Sequence, residues 1–258
     1  MSHILFPMTE NTASSSLVAV ASLITLLLVW QLSALAFSSP LLPAPLIVMK
    51  VLVEQLQSGA LLSNLGITLA RLTVSFFLAM ILGTTIGILL GRNKQLDSFF
   101  DSWLIIFLNI PALVTIILCY VWFGLDEFAA ILAVVINKLP NVVVTLREGT
   151  RAIDKTLLEM AQIYRFGRIR TLSHVIWPQL YPFLIAAART GLALIWKIVL
   201  VVELLGRSDG MGYQLHVFFQ LFDVASILAY TIAFIAVIQV IEWGILKPLD
   251  RHAQRWRR

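Results

Sequence analysis

Charged side chains are scarce in this sequence. Lys, Arg, Asp and Glu together make up 13% of its 258 residues, whereas hydrophobic residues make up 59%. A soluble domain usually carries a charge at about a quarter of its positions. The scarcity of charge therefore excludes an ordinary water-soluble domain and predicts an integral membrane protein.

Cysteine is almost absent as well, because Cys119 is the only one. A single cysteine cannot form an intrachain disulfide or a thiolate metal cluster. None of the 4 histidines belongs to an H-E-x-x-H or similar pair, and no serine stands in a G-x-S-x-G turn. We predict no metal site, no cofactor bound by this chain and no enzymatic activity.

Patterns that bind nucleotides or nucleic acids are missing too. No Gly-Lys dipeptide occurs, so the phosphate-binding loop G-x-x-x-x-G-K-[ST] is absent and the chain is not predicted to be an ATPase. The net charge of +5 does not arise from one basic stripe interleaved with aromatic residues. We therefore expect no nucleic-acid partner.

Long apolar stretches are what the sequence does contain. A helix needs about 20 residues to cross roughly 30 Å of hydrocarbon, and six stretches approach or exceed that length. They cover residues 16–37, 65–90, 99–123, 127–146, 180–205 and 225–247. Between the first two, residues 44–58 predict an amphipathic helix on the membrane surface. The pattern predicts an all-α membrane protein with six transmembrane helices, residues 1–258 forming a single domain.

Lysine and arginine are distributed unevenly over the predicted loops. Cytoplasmic loops carry an excess of both residues, and most of them fall on one side of the membrane if both termini are cytoplasmic. The second cytoplasmic group runs from Lys138 to Arg170. Residues 34–36, Ala-Leu-Ala, resemble a signal-peptide cleavage site, but the first basic residue is Lys50, so we expect the first helix to be retained.

The segment 147–179 combines basic residues with a helical pattern. Apolar residues recur at helical spacing as far as Tyr164, and a second short helix is predicted from Ile169 to Ile176. Gly167 is expected to form the turn between them, and Pro178 to end the second helix before the fifth span. Such a hairpin is either a docking surface for another protein or a loop facing lipid headgroups. Both interpretations remain open on composition.

One short pattern in this segment has a counterpart in a known family. Glu159-Met160-Ala161, followed by Pro178, resembles the "EAA" signature of binding-protein-dependent ABC importer permeases. Four further stretches are similar to the branch that carries nitrate, sulfonates and taurine. They are "LPAP" at 42–45, "GTTIGILLGRNK" at 83–94, "NIPALVTIILCYVWFG" at 109–124 and "WKIVLVVELLGRSDGMGYQL" at 196–215.

The resemblance implies a type I importer permease fold with a cytoplasmic coupling hairpin, in a bacterial inner membrane. It implies a second copy of the chain, membrane lipids, a periplasmic or lipid-anchored solute-binding protein and two ATP-binding cassette subunits, which would hold ATP and Mg. The substrate would be a small anion such as a sulfonate, taurine or nitrate. The residues expected to dock the ATPase are Glu159, Met160, Ala161, Tyr164, Gly167 and Pro178. The family glycine is replaced by Arg165, so we expect the turn to be displaced toward Gly167.

Lys197 and Glu203 lie in the predicted fifth span, where a charge is costly and indicates function. Lys197 is a candidate for attracting an anionic substrate, or alternatively for pairing with a carboxylate on another helix. Glu203 lies near the helix end and is expected to form a gate or a helix-end contact. Further pathway candidates are Trp196, beside Lys197, and Asn109 and Pro111, which interrupt the third span.

Glycines recur at every fourth position on the predicted second span, at Gly83, Gly87 and Gly91. This spacing allows close approach of another helix, so we expect a packing role. Arg71 and Arg189 are expected to extend from helix ends toward the membrane surface. The alternative function is a secondary transporter driven by an ion gradient, which would need neither a docking hairpin nor an ATPase.

Overall fold

The computed structural model describes residues 12–37, 39–246 and 248, and every regular element in these ranges is helical. Both chain ends were predicted to be cytoplasmic, but the terminal residues lie outside the described ranges. The helices are α1 (Thr12–Phe37), α2 (Pro45–Gln57), α3 (Ala60–Arg92), α4 (Lys94–Asn109), α5 (Ala112–Phe123), α6 (Glu127–Arg151), α7 (Lys155–Ile163), α8 (Arg168–Thr171), α9 (Trp177–Gly206), α10 (Met211–Gln220) and α11 (Val224–Ile241). Two π-helical turns follow α8 and α11, at Leu172–Ile176 and Glu242–Leu246.

Five helical segments are long and apolar enough to cross a membrane. They contain α1, α3, α6, α9 and α11, which overlap five of the six predicted spans. The remaining prediction, 99–123, corresponds to two helices, α4 and α5, which meet at an angle of 96°. The chain therefore has a sixth crossing if this bent pair is one span.

The bend between α4 and α5 has a local cause at Ile110 and Pro111. Proline lacks an N–H and disfavours helical geometry in the residue before it. Ile110 accordingly has an extended conformation, with φ −69° and ψ 125°. Asn109 caps this end, since its side-chain amide donates to the carbonyl of Ile105 at 2.7 Å. The sequence predicted an interruption of the span here, but it did not predict two separate helices at nearly a right angle.

The centre of the bundle is α6, which packs against both α3 and α9. The three glycines of α3 form its contact with α6. A Cβ on Gly87 would lie 2.7 Å from the carbonyl oxygen of Val143, and a Cβ on Gly83 would lie 2.6 Å from the Cβ of Val142. The absence of side chains at these positions therefore allows the two backbones to approach closely.

The helix predicted at 44–58 is α2, which lies beside α11. The hydroxyl of Tyr230 on α11 donates to the side-chain oxygen of Gln55 at 3.4 Å. By contrast, α1 presents exposed apolar side chains along most of its length, and Trp30 donates to the carbonyl of Pro43 at 3.1 Å. The surface of α1 is therefore suited to contact with lipid.

The fifth span begins earlier than predicted. The helical path continues from Arg168 through the π-helical turn into α9, so Pro178 lies in the first turn of α9 and does not end the preceding helix. The expected break at Pro178 is wrong. In the π-helical turn, the N–H of Trp177 bonds to the carbonyl of Leu172, five residues back. This widened turn accommodates a proline without breaking the helix.

Candidate functional site

The candidate coupling segment, residues 155–178, is attached at both ends to the membrane helices. Asp154 caps α7 by accepting a hydrogen bond from the backbone N–H of Thr156 at 2.8 Å. Its own backbone N–H donates to the side-chain oxygen of Gln179, on α9, at 2.8 Å. The start of α7 is thus tied to the start of the fifth span.

The turn between α7 and α8 is built around Arg165. Its φ of 51° lies in the left-handed region. The N–H of Phe166 bonds to the carbonyl of Ala161, and the N–H of Arg165 bonds to that of Gln162. These bonds form a Schellman motif, in which glycine is the usual left-handed residue. The expected displacement of the turn to Gly167 is wrong, since Gly167 has φ −65° and caps the start of α8.

The exposed surface of this segment is both apolar and basic. Ile169 is 84% exposed and Tyr164 70% exposed. Of the other predicted docking residues, Glu159, Met160 and Gly167 are exposed, whereas Ala161 is buried and Pro178 is half-buried. Three exposed arginines lie in the same segment, at positions 165, 168 and 170. Ala161 therefore packs the segment, while most of its neighbours remain open to a partner.

At the opposite end of the bundle, Arg71 is buried among acidic groups. It is only 4% exposed, and its guanidinium donates to Glu203 at 2.8 Å, to Glu127 at 2.6 Å and to Asp209 at 2.5 Å. The expectation that Arg71 extends toward the membrane surface is wrong. Its partners come from α6, α9 and the loop after α9, so one side chain joins three segments to α3.

Glu203 is fully buried and has several hydrogen-bond donors. Besides Arg71, Thr68 donates to it at 2.9 Å and the backbone N–H of Gly212 donates at 2.8 Å. Gly212 can approach because it lacks a side chain; a Cβ there would lie 2.2 Å from the carbonyl oxygen of Leu200. Glu203 thus makes contacts that fix the end of α9 against α3 and α10.

Lys197, the predicted anion-attracting residue, lies on the exposed surface of the single chain. Its amine is 5.4 Å from the ring centroid of Trp196. Trp196 in turn packs on Phe234 of α11, with ring centroids 5.5 Å apart. Asn109 and Pro111, the other pathway candidates, are exposed at the bend between α4 and α5. Within one chain the structure therefore brings Lys197 and Trp196 into contact, whereas Asn109 and Pro111 lie at the separate bend between α4 and α5.

Lys138 was missed by the sequence analysis, which counted it with the cytoplasmic charges. The structure places it within α6, where its side chain is almost completely buried, with 1% exposure. A signal existed in the sequence, because Lys138 lies inside the apolar stretch 127–146. An ionisable residue within a transmembrane segment indicates function, just as it did for Lys197.

The helical architecture has counterparts among known proteins. Residues 83–245 match the family model described as "Binding-protein-dependent transport system inner membrane component", which is more than half of the chain. The chain belongs to this permease family. The permease is 30% identical to the putative aliphatic sulfonates transport permease protein SsuC of Bacillus subtilis (strain 168), over 85% of this chain and 79% of that protein. It is 26% identical to the taurine transport system permease protein TauC of Escherichia coli (strain K12), over 92% of this chain and 89% of that protein.

Solved structures show the same fold. A chain of the MetNI methionine ABC transporter, in an inward-facing conformation, aligns with a TM-score of 0.62 at 18% identity, covering 75% of this chain and 97% of that chain. A chain of an amino acid ABC transporter with histidines gives a TM-score of 0.61 at 20% identity, covering 78% and 97%. The predicted family and the type I importer permease fold are confirmed. The permease is a multi-pass membrane subunit of an ABC importer, a transport component.

Proposed function

We propose that the permease forms the pathway of a bacterial inner-membrane importer for a small anion and is driven by two ATP-binding subunits docked on the coupling segment. The observation that carries this proposal is the exposed apolar and basic surface of residues 155–178, attached directly to the fifth span. ATP and Mg would be held by the partner subunits. A second copy of the permease would complete the pathway.

The coupling segment has the connections that a mechanical link needs. Gln179 joins the start of α7 to α9, and the helical path from Arg168 to Gly206 has no break. A movement of docked α7 and α8 would therefore be transmitted to the fifth span. Exposed Tyr164 and Ile169 would supply apolar contact area, and the arginines would select an acidic partner surface.

The orientation follows from the distribution of basic residues. Arg165, Arg168 and Arg170 would face the cytoplasm under the positive-inside rule. The buried cluster around Arg71 would then lie at the periplasmic end, where a solute-binding protein delivers the substrate. The first and last residues of the chain would both be cytoplasmic.

The chemical class of the substrate is proposed from the relatives. Relatives are named for aliphatic sulfonates, taurine and, in Synechococcus elongatus, bicarbonate. A sulfonate and bicarbonate both carry an anionic oxygen group. The substrates in these names are all small molecules with an anionic group. A cationic side chain in the membrane would have the opposite charge.

Docking can be tested by co-purification of the permease in detergent with candidate ATP-binding subunits. Glu159→Lys and Ile169→Asp are expected to abolish the association, because both change the exposed coupling surface. Glu54→Lys is the matched control, since Glu54 is exposed on α2, away from this segment. Association of the coupling variants at wild-type strength would contradict the docking proposal. Transport driven by an ion gradient without ATP would favour the secondary transporter.

A further inference from the structure

The side chain of Lys138 is an unpaired amine inside the helix bundle. Lys138 is 1% exposed, and no described residue accepts a hydrogen bond from its amine or lies within ion-pair distance of it. A buried charge without a partner is strongly unfavourable, so such a group is retained when it has a ligand or a function. Arg71 and Arg147 are buried cations as well, and each has three carboxylate partners in the same structure.

The position of Lys138 along the membrane is central. On α6 it lies between Glu127, in the cluster around Arg71, and Arg147, near the opposite end. At 1.5 Å per residue it is roughly 15 Å from each along the helix axis. Lys138 is therefore the ionisable group of α6 that a solute would meet midway between the two faces.

The neighbouring helix leaves space for this amine. A Cβ on Gly191 of α9 would lie 3.0 Å from Cε of Lys138 and 3.7 Å from its Nζ. The same point is 3.6 Å from Cε2 of Phe76 on α3. The end of the lysine side chain and the edge of the Phe76 ring therefore both pack against Gly191, at the contact of α3, α6 and α9.

Phe76 also lines a groove of about 430 Å³ between α3 and α9. The groove is mainly apolar, and its lining residues include Met80, Thr84, Ile185 and Ala188. The hydroxyl oxygen of Thr84 is buried and has no hydrogen-bond partner among the described residues. Phe76 is common to the groove and to the surroundings of the buried amine, and an apolar groove with an unpaired hydroxyl and a nearby cation would be complementary to a small organic anion.

We propose that Lys138 binds the anionic group of the substrate during transport, with the apolar part of the substrate in the groove and Thr84 as a second donor. Displacement of the Phe76 ring would connect the amine to the groove. This inference rests on the proposed anion transport and assigns the charge-recognising role to Lys138, whereas the sequence analysis assigned it to Lys197. Lys138 is enclosed by three helices of the transport domain, whereas Lys197 is exposed on the surface of one chain.

The test uses the complete complex, reconstituted in liposomes with its ATP-binding subunits and binding protein. ATP-dependent uptake of radiolabelled taurine and butanesulfonate is measured for wild type, Lys138→Met and Thr84→Val. Loss of a charge-assisted hydrogen bond predicts a decrease of about tenfold or more for Lys138→Met, and loss of a neutral one about threefold for Thr84→Val. Lys50→Met, on the exposed surface of α2, is the control and is expected to transport like wild type.

Thermal unfolding of the same variants separates recognition from structure. Methionine has a similar shape and no buried charge, so Lys138→Met is expected to unfold at the same or a higher temperature than wild type while transport falls. Wild-type uptake by Lys138→Met, or a lower unfolding temperature, would overturn the inference. Loss of uptake in Lys197→Met with normal uptake in Lys138→Met would return the role to Lys197. If wild type transports neither anion but does transport a neutral solute, the proposed substrate class itself fails.

Discussion

The two ends of the helix bundle both contain an arginine bound to several carboxylates, but they differ in burial. At one end, Arg71 and Glu203 are 4% and 0% exposed. The other two carboxylates bound to Arg71, on Glu127 and Asp209, are 47% and 40% exposed. At the other end, Arg147 is 11% exposed and Arg151 is 42% exposed, and both bind acidic groups of α4 and α6 that are 14% to 51% exposed. These groups are Asp97, Asp101 and Glu148.

This difference indicates how each end responds to movement. The Arg71–Glu203 pair is buried, so little water can replace a lost partner there, and separating α3 from α9 would leave a buried charge uncompensated. Around Arg151, water and salt can screen the groups when they separate. The Arg71 end is therefore expected to hold its geometry, and the Arg151 end, which leads into the coupling segment, is expected to rearrange at low cost.

The largest predicted effect comes from breaking the buried cluster. Arg71→Met leaves Glu203 without its charge partner and is expected to lower the free energy of unfolding by about 3 to 5 kcal/mol. Thermal unfolding in detergent measures this. Adding Glu203→Met to the same chain should recover part of the loss, because the uncompensated carboxylate is then removed. An unfolding temperature equal to that of wild type would show that the cluster is not structurally important.

A smaller effect is expected at the turn of the coupling segment, where the substitution should stabilise the structure instead of destabilising it. Arg165 has φ 51°, and a non-glycine residue in this region costs about 1 kcal/mol relative to glycine. Arg165→Gly should therefore make α7 and the turn more protected in hydrogen exchange. Gly167→Ala is the control, since its φ is −65° and a Cβ there meets nothing within 4 Å. Equal protection in wild type and Arg165→Gly would contradict the argument from backbone strain.

The smallest effect on stability is expected at the Arg151 end of the bundle. Arg151→Met removes contacts to Asp97 and Glu148; Arg151 itself is 42% exposed, and ion pairs of an exposed arginine contribute about 1 kcal/mol or less. The change in unfolding temperature should shrink further when the salt concentration is raised, because salt screens these charges. If Arg151→Met lowered the unfolding temperature as much as Arg71→Met does, and independently of salt, the two ends would not differ as we expect.

Much of the architecture was accessible from the sequence because it depends on local properties. The length of the apolar stretches predicted the helices, and the order of short patterns around Glu159 and Pro178 predicted the permease family. The ends of the helices were harder to predict. Pro178 was expected to end a helix, but a π-helical turn just before it allows the helix to continue.

The candidate site was less predictable than the fold. Lys197 and Lys138 both lie in apolar stretches, and the sequence alone does not distinguish an exposed lysine from a buried one. Lys138 was counted with the cytoplasmic basic residues that run from Lys138 to Arg170. Its burial depends on Gly191, a residue of another helix that leaves the necessary space.

The sequence by itself determined that the chain is a helical membrane permease, because hydropathy and family patterns are properties of neighbouring residues. Only the tertiary structure decided which charges meet. Arg71 and Glu203 belong to different helices, and Lys138 and Gly191 likewise, so their pairing depends on helix rotation and packing. These determine whether an ionisable side chain in the membrane receives a partner, as Arg71 does, or is left available for a ligand, as we propose for Lys138.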